Sequence, residues 1–380
     1  MSGLVPGYAT RSGTEVYART FGAQCGAGHY SDFLNLHIKL SSLGIGTFPG
    51  AATDQIDAAV AGIVHSAALA GINVFDTAAH YRYGRAAMAL GEGLRRAFAG
   101  GVAREQVFVV AKGGFLAFPS GRPEDMDAWF DANIVARGLG TRDDLAGVHL
   151  LSPQYVLDQL ETQCDALGLE TVDAFLLDQP EVHIPLIGKE ATNRKILAVF
   201  EALEAARAAG KLRVYGIATF EGLRVETDAP LFESITSLQG LAEKANQAVN
   251  GSTGGSHGLR VVQLPFNQAM TEGFTRFSQA TGQGNVASSI QAAHQLRVYV
   301  MASHTLGKGL LARQCADGVA RALPDLANDA QRAMQFNRST PGIGTSLAGI
   351  TEAAHLEDLL AVARRAPLPR AEYLKLYERA

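Results

Sequence analysis

Short apolar runs rich in Val, Ile and Leu recur along the chain, separated by longer Ala-rich stretches with apolar residues at helical spacing. The runs are Leu43–Thr47, Ile72–Asp76, Val107–Lys112, Asp173–Leu177, Arg213–Ala218, Arg260–Leu264, Arg297–Ala302 and Thr345–Gly349. They do not alternate apolar with polar, which is the pattern of parallel strands covered on both faces. The stretches between them predict helices. Thr53 caps Asp54–Ala70, which stops at Gly71, and Ala86–Phe98 stops at Gly100 and Gly101. Ser152-Pro153 opens a helix through Leu167, with Gly168 beyond it. Lys195–Ala209, Gln331–Arg338 and Glu352–Arg365 follow the same pattern.

Eight strands alternating with helices over 380 residues predict an α/β fold, a (β/α)8 TIM barrel, in one domain spanning residues 1–380. A dinucleotide-binding doubly wound sheet is disfavoured: Leu43-Gly44-Ile45-Gly46-Thr47-Phe48 lacks the third glycine and opens no helix. Residues 1–42 form an N-terminal extension. Residues 113–151 form a long loop after the third strand, where barrels carry lids and substrate walls. Asn250–Gly258 (NGSTGGSHG) looks like a phosphate-binding nest, but it precedes a strand and not a helix, which favours a flexible connector.

Composition narrows the function classes. Hydrophobic residues make up 47% of the chain and the formal net charge is −4, so neither disorder nor nucleic-acid binding through bulk positive charge fits. Three dispersed cysteines and no metal-ligand spacing predict reduced thiols without a metal site. The first residues carry no signal-peptide pattern and no run is long enough to span a membrane, so a cytoplasmic protein is expected. The 41 glycines exceed ordinary usage and call for close backbone approaches. Several fall at strand mouths.

The densest chemistry lies in residues 71–94. Asp76 ends a strand, Tyr81 follows, and Lys112 ends the next strand. An acid, a phenol and an amine at neighbouring strand mouths converge on one pocket. An ammonium held by a carboxylate favours the phenolate, making the phenol a usable acid for protonating a carbonyl oxygen.

With its DTAxxY segment, this chain resembles the aldo-keto reductase superfamily. Further matches are LGIGT at Leu43–Thr47, AKGG at Ala111–Gly114, VDAFLLDQPE at Val172–Glu181, YGIATF at Tyr215–Phe220, VVQLPFN at Val261–Asn267 and LGKGL at Leu306–Leu310. TPGIGTSLAGITEAAHLEDL at Thr340–Leu359 completes them, and the N-terminal segment is similar to a little-characterised bacterial branch. The resemblance implies a barrel that binds NADP(H) or NAD(H) at its C-terminal face and acts on a small carbonyl or alcohol. It implies catalytic roles for Asp76, Tyr81 and Lys112. It also implies cofactor contacts from Gly46, Thr47, Thr219, Gln263, Ser303, Leu306, Gly344, Thr345, Ser346 and Gly349.

Asp178 stands where the family has a catalytic histidine, and Ala218-Thr219 where it has Ser-Asn. Ser303 replaces a stacking aromatic, and Ile343–Ala353 lacks the basic residue expected for a 2′-phosphate. A carboxylate about 5 Å from the phenol opposes the phenolate by about 3 kcal/mol at an effective dielectric of 20. Asp178 is relieved of that conflict if protonated or paired with Lys112. His80, His183 and His304 are candidate replacements for the histidine, while His149 reads as structural within the insertion. Three functions stay open: an oxidoreductase with Tyr81 as proton donor; a lyase, isomerase or cyclase with Asp178 as general base; and a non-catalytic cofactor- or partner-binding protein. Oligomeric state is not legible.

Overall fold

The computed structural model describes residues 3–251, 255–282 and 284–377. Residues 252–254, inside the glycine-rich connector, therefore lie outside the described residues.

Eight parallel strands close into a barrel. They are β1 Leu43–Gly46, β2 Val74–Asp76, β3 Phe108–Gly113, β4 Val172–Asp178, β5 Leu212–Ala218, β6 Leu259–Pro265, β7 Tyr299–Ser303 and β8 Thr345–Gly349. Each pairs with the next in sequence, and β8 closes on β1. Parallel neighbours need crossovers. Helices Asp54–Ala68, Arg85–Ala99, Pro153–Leu167, Lys189–Ala208, Ile235–Asn250, Ser289–Gln295 and Asp329–Arg338 lie in them, and Ala353–Ala363 follows β8.

The strands are apolar on both faces because two cores use them. Ile45, Phe75, Val109, Phe175, Leu177 and Ile217 pack outward against the helices. Val74, Phe108, Val110, Leu176, Val214 and Met301 fill the barrel.

The extension before β1 forms a floor. After helix Arg11–Gly22, an antiparallel hairpin pairs Tyr30–Phe33 with Ile38–Ser41. Its Phe33, Ile38 and Leu40 join the barrel interior, where Phe33 stacks on Tyr299 with ring centroids 4.7 Å apart. At the start of β4, the buried Asp173 carboxylate accepts hydrogen bonds from Ala9 N, Arg104 and Val109 N at 2.6, 2.7 and 2.8 Å. The segment before the barrel is thus tied to it by a buried charge.

The loop expected over residues 113–151 is more ordered than its glycines and prolines imply. It holds helix Met126–Phe130, a wide turn at Asp131–Val135 and a short hairpin pairing Leu145–Ala146 with His149–Leu150. Leu116, Phe130, Ile134, Leu139 and Leu150 make a small apolar core of its own, closed by Tyr155. Two helices depart from expectation. One begins at Lys189, straight after the left-handed Gly188, rather than at Lys195. Another, Ile235–Asn250, was not anticipated, although Ser234 caps Ser237 N and Ile235, Leu238, Ala242 and Ala245 recur at helical spacing on its buried side.

Candidate active site

At the C-terminal mouth of the barrel lies a cavity of about 590 Å³ lined by Gly46, Asp76, Tyr81, Asp178, Thr219 and Gln263, among others. Asp76 and Asp178 are the last residues of β2 and β4, so strand pairing alone sets their height. Lys112 is buried just beneath, and its Nζ contacts both Asp76 carboxylate oxygens at 2.5 and 2.6 Å. Gln263 Nε2 donates to Asp76 Oδ2 at 2.9 Å. The carboxylate is therefore held from two sides, and its charge is matched by one ammonium.

Tyr81 is aimed at the cavity by an unusual turn. Arg82 and Tyr83, directly after it, both adopt left-handed backbone conformations. Such conformations are costly outside glycine and persist where the surroundings fix them. Here the buried Arg82 guanidinium donates to Asp57 at 2.5 Å, and Arg85 Nε donates to the same carboxylate at 2.7 Å. Lys112 Nζ lies 5.0 Å from the centre of the Tyr81 ring. Phe48 and His80 pack edge-on against that ring at 5.0 and 4.8 Å.

The electrostatics reverse one expectation. The Tyr81 hydroxyl is held well above the ordinary phenol range, by burial first, then by the charges of Asp76 and Asp178. Lys112 spends its charge on Asp76, so it does not pull the phenol toward neutrality. Tyr81 is a protonated donor at neutral pH. Asp178 does not pair with Lys112; burial pushes its carboxyl up to about 6, and Asp76 adds to the rise while Lys112 opposes it. Near neutrality this group can hold or release a proton. His80, a cavity wall residue, is pushed down to about 4 by burial and by Lys112, so it is a neutral imidazole, with Nδ1 buried and unpartnered.

Of the residues expected to hold a cofactor, Gly46, Thr219, Gln263, Ser303, Leu306 and Gly349 line the cavity. Gly349 is required there, since a Cβ would lie 2.8 Å from Pro49 Cδ. Four others do not line it. The Thr47 hydroxyl donates to Asp76 O at 3.1 Å and lies 2.9 Å from Thr77 Oγ1, fastening β1 to β2. Gly344, Thr345 and Ser346 sit at the start of β8, the opposite mouth of a parallel barrel. A Cβ on Gly344 would strike the Tyr299 ring, and the Thr345 hydroxyl donates to Ser41 O at 2.8 Å, in the floor. A strand rises about 3.3 Å per residue, so the three to five residues between these groups and Gly349 set them about 10 Å or more below it.

The wall after β8 is formed instead by Ile350, Thr351, His355 and Asp358, and that after β7 by His304 and Lys308. Sequence reasoning had no chemical signal for Thr351 or Asp358; their position on the β8 side of the mouth was the only clue. His183 does not reach the cavity. It is buried behind it, with Nε2 2.9 Å from His149 Nδ1.

A nicotinamide dinucleotide needs polar groups that await a partner. The Thr219 hydroxyl and His304 Nε2 are both buried without a hydrogen-bond partner, on residues that line the cavity. Close backbone approach is available at Gly46, Gly309 and Gly349. The residues present fit such a group. No cluster of metal-ligating side chains occurs among the described residues, and none of their helices is long and apolar enough to cross a membrane.

Residues 42–229 match the family described as the aldo/keto reductase family. No curated protein matches the chain. Among solved structures, the chain is similar to an aldo/keto reductase from Klebsiella pneumoniae in complex with NADP and acetate. The identity is 16% and the TM-score 0.58, over 90% of this chain and 92% of that one, a likeness of fold. Through residues 42–229, the chain belongs to the aldo/keto reductase family.

Proposed function

We propose that this protein is a nicotinamide-dependent oxidoreductase of a small carbonyl or alcohol substrate, with Tyr81 as proton donor. The observation that carries this reading is the buried Asp76–Lys112 pair, 2.5 Å apart, beneath a tyrosine that lines the cavity. The NADP bound by the Klebsiella pneumoniae relative supports the same reading. Thr219, His304 and the glycines of the mouth would hold the dinucleotide, and NAD(H) and NADP(H) are both admitted. When bound, the nicotinamide supplies or takes up hydride at the substrate carbon.

The chain's own residues do the rest. The Tyr81 hydroxyl donates its proton to the substrate oxygen as negative charge develops there. Lys112 and Gln263 hold Asp76 beneath the ring, so the carboxylate nearest the donor has its charge matched. Asp178 replaces a neutral donor with an acid that is ionised above about 6. Its ionised form opposes the developing charge and its protonated form does not.

A second reading rests on the same raised carboxyl. A group titrating near 6 in a cavity is suited to general-base chemistry, so Asp178 would serve a lyase, isomerase or cyclase. Titration of the full chain with NADH and with NADPH, followed by nicotinamide fluorescence, separates the two. Binding of either supports the oxidoreductase; binding of neither leaves the general-base reading.

A further inference from the structure

Behind the cavity wall lies a histidine pair that the reaction as described does not use. His149 Nε2 lies 2.6 Å from the backbone oxygen of Asp178, and His149 Nδ1 lies 2.9 Å from His183 Nε2. A carbonyl oxygen only accepts, so His149 Nε2 must carry the proton. Nδ1 is then an acceptor, and His183 Nε2 donates to it. The pair has one consistent neutral arrangement, set by the carbonyl of a cavity residue.

The backbone around the pair is shaped to admit it. Gly114 has φ +129°, and a Cβ there would lie 2.4 Å from His149 Nε2. On either side, Leu116 N donates to Val148 O and Leu150 N to Gly114 O, both at 2.8 Å. His149 thus leaves the hairpin of the insertion and reaches across the end of β3 to the end of β4. The chain there needs a restraint: Gln179, next to Asp178, is left-handed at φ 53° and lines the cavity. Its N–H donates to Ala218 O at 2.6 Å, and the bond from His149 fixes the other side of the same turn.

We propose that His149, locked by His183, is the positioning residue for Asp178, coupling the insertion of residues 113–151 to the acid in the cavity wall. This rests on the reading that Asp178 faces the reacting group. His149 does not touch substrate; it fixes the peptide from which the Asp178 side chain projects. The charges facing that carboxyl are Asp76 and Lys112, and the neutral Gln179 amide is its neighbour in the chain. Those facing the pair are Lys195 and Asp144 on the His183 side and His80 beside His149. Burial pushes His149 down to about 3 and His183 down to about 4, so the neutral arrangement holds across the working range of pH.

The test follows the Asp178 carboxyl directly, by carbon NMR of the full chain labelled at aspartate, with Asp178→Asn assigning the resonance. His149→Phe keeps a flat ring but cannot donate to Asp178 O. Its Asp178 titration is expected to move by at least about half a pH unit from wild type. His149→Gln, whose amide can donate to the same oxygen, is expected to return it. A purely structural contact would lower the melting temperature and leave the titration in place. An unmoved titration in folded His149→Phe overturns the proposal. Should His149→Phe not fold, His183→Leu removes the donor that locks His149, and an unmoved titration there overturns it equally. NADH and NADPH binding by wild type is measured alongside. Loss of both sinks the oxidoreductase reading, while the titration still decides the role of His149.

Discussion

Lys112 Nζ lies 2.5 Å from Asp76 Oδ1 and 2.6 Å from Asp76 Oδ2, with the two side chains only 1% and 5% exposed. Removing one partner of such a pair leaves a buried charge uncompensated, which is costlier than losing the attraction itself. Lys112→Met is therefore expected to destabilise the fold by about 3–5 kcal/mol, read from urea or guanidinium unfolding. A loss under about 1 kcal/mol would mean that the cavity is wet enough to screen Asp76.

Tyr81→Phe removes the proton donor and little else, because the ring contacts with Phe48 and His80 do not involve the hydroxyl. Carbonyl reduction is expected to fall by about 10²–10⁴-fold while nicotinamide binding is kept. Steady-state rates beside a fluorescence titration give both numbers. Retained turnover would reassign the proton donor.

Asp178 sets a pH dependence whose sign can be worked out. Its folded carboxyl titrates at about 6, above the ordinary value near 3.9, so the folded state binds this proton more tightly than the unfolded chain. That contribution to stability is present in full below about 4 and is lost as pH rises through about 6. Asp178→Asn escapes the loss. It is expected to be more stable than wild type at pH 7 by up to about 3 kcal/mol, with the advantage shrinking toward zero below about pH 4. Thermal melts across that range measure it.

The same ionisation acts on turnover. Protonated Asp178 no longer opposes charge on the substrate oxygen, so reduction by wild type is expected to rise as pH falls through about 6. The limb should vanish in Asp178→Asn. Asp178→His, which restores a group able to be neutral and donating, is expected to gain reduction of generic aldehydes at neutral pH. A wild-type profile flat across about pH 5–8 would count against the electrostatic account.

Gly114→Ala tests the seam between insertion and barrel. The new Cβ would meet His149 Nε2 at 2.4 Å from a backbone at φ +129°, so clash and strain act together. A destabilisation of about 1–3 kcal/mol is expected, with faster proteolysis inside residues 113–151 than elsewhere. Uniform cleavage along the chain would show that the insertion does not open separately.

The barrel was legible because burial on both faces leaves a mark in sequence: apolar runs without alternation, divided by amphipathic stretches and glycine stops. Asp76, Tyr81 and Lys112 were legible because strand ends in a parallel barrel all face one mouth, so order along the chain fixes their height. What surrounds them was not. Gly344, Thr345 and Ser346 share their strand with Gly349, and only the direction of β8 sends them to the floor. The helix Ile235–Asn250 carried a readable period, but Gly240 and the many polar residues of its exposed side dilute that pattern.

The sequence by itself determined that Asp76, Tyr81 and Asp178 meet at the barrel mouth, with Lys112 beneath them. Tertiary structure decided how they behave there. Lys112 is spent on Asp76 rather than Tyr81, and Asp178 is lifted by burial to about 6. His149, across an insertion, is brought to the carbonyl of that same residue. Distances between charges, and the depth of water around them, depend on which segments pack together, and no local pattern in the chain encodes them.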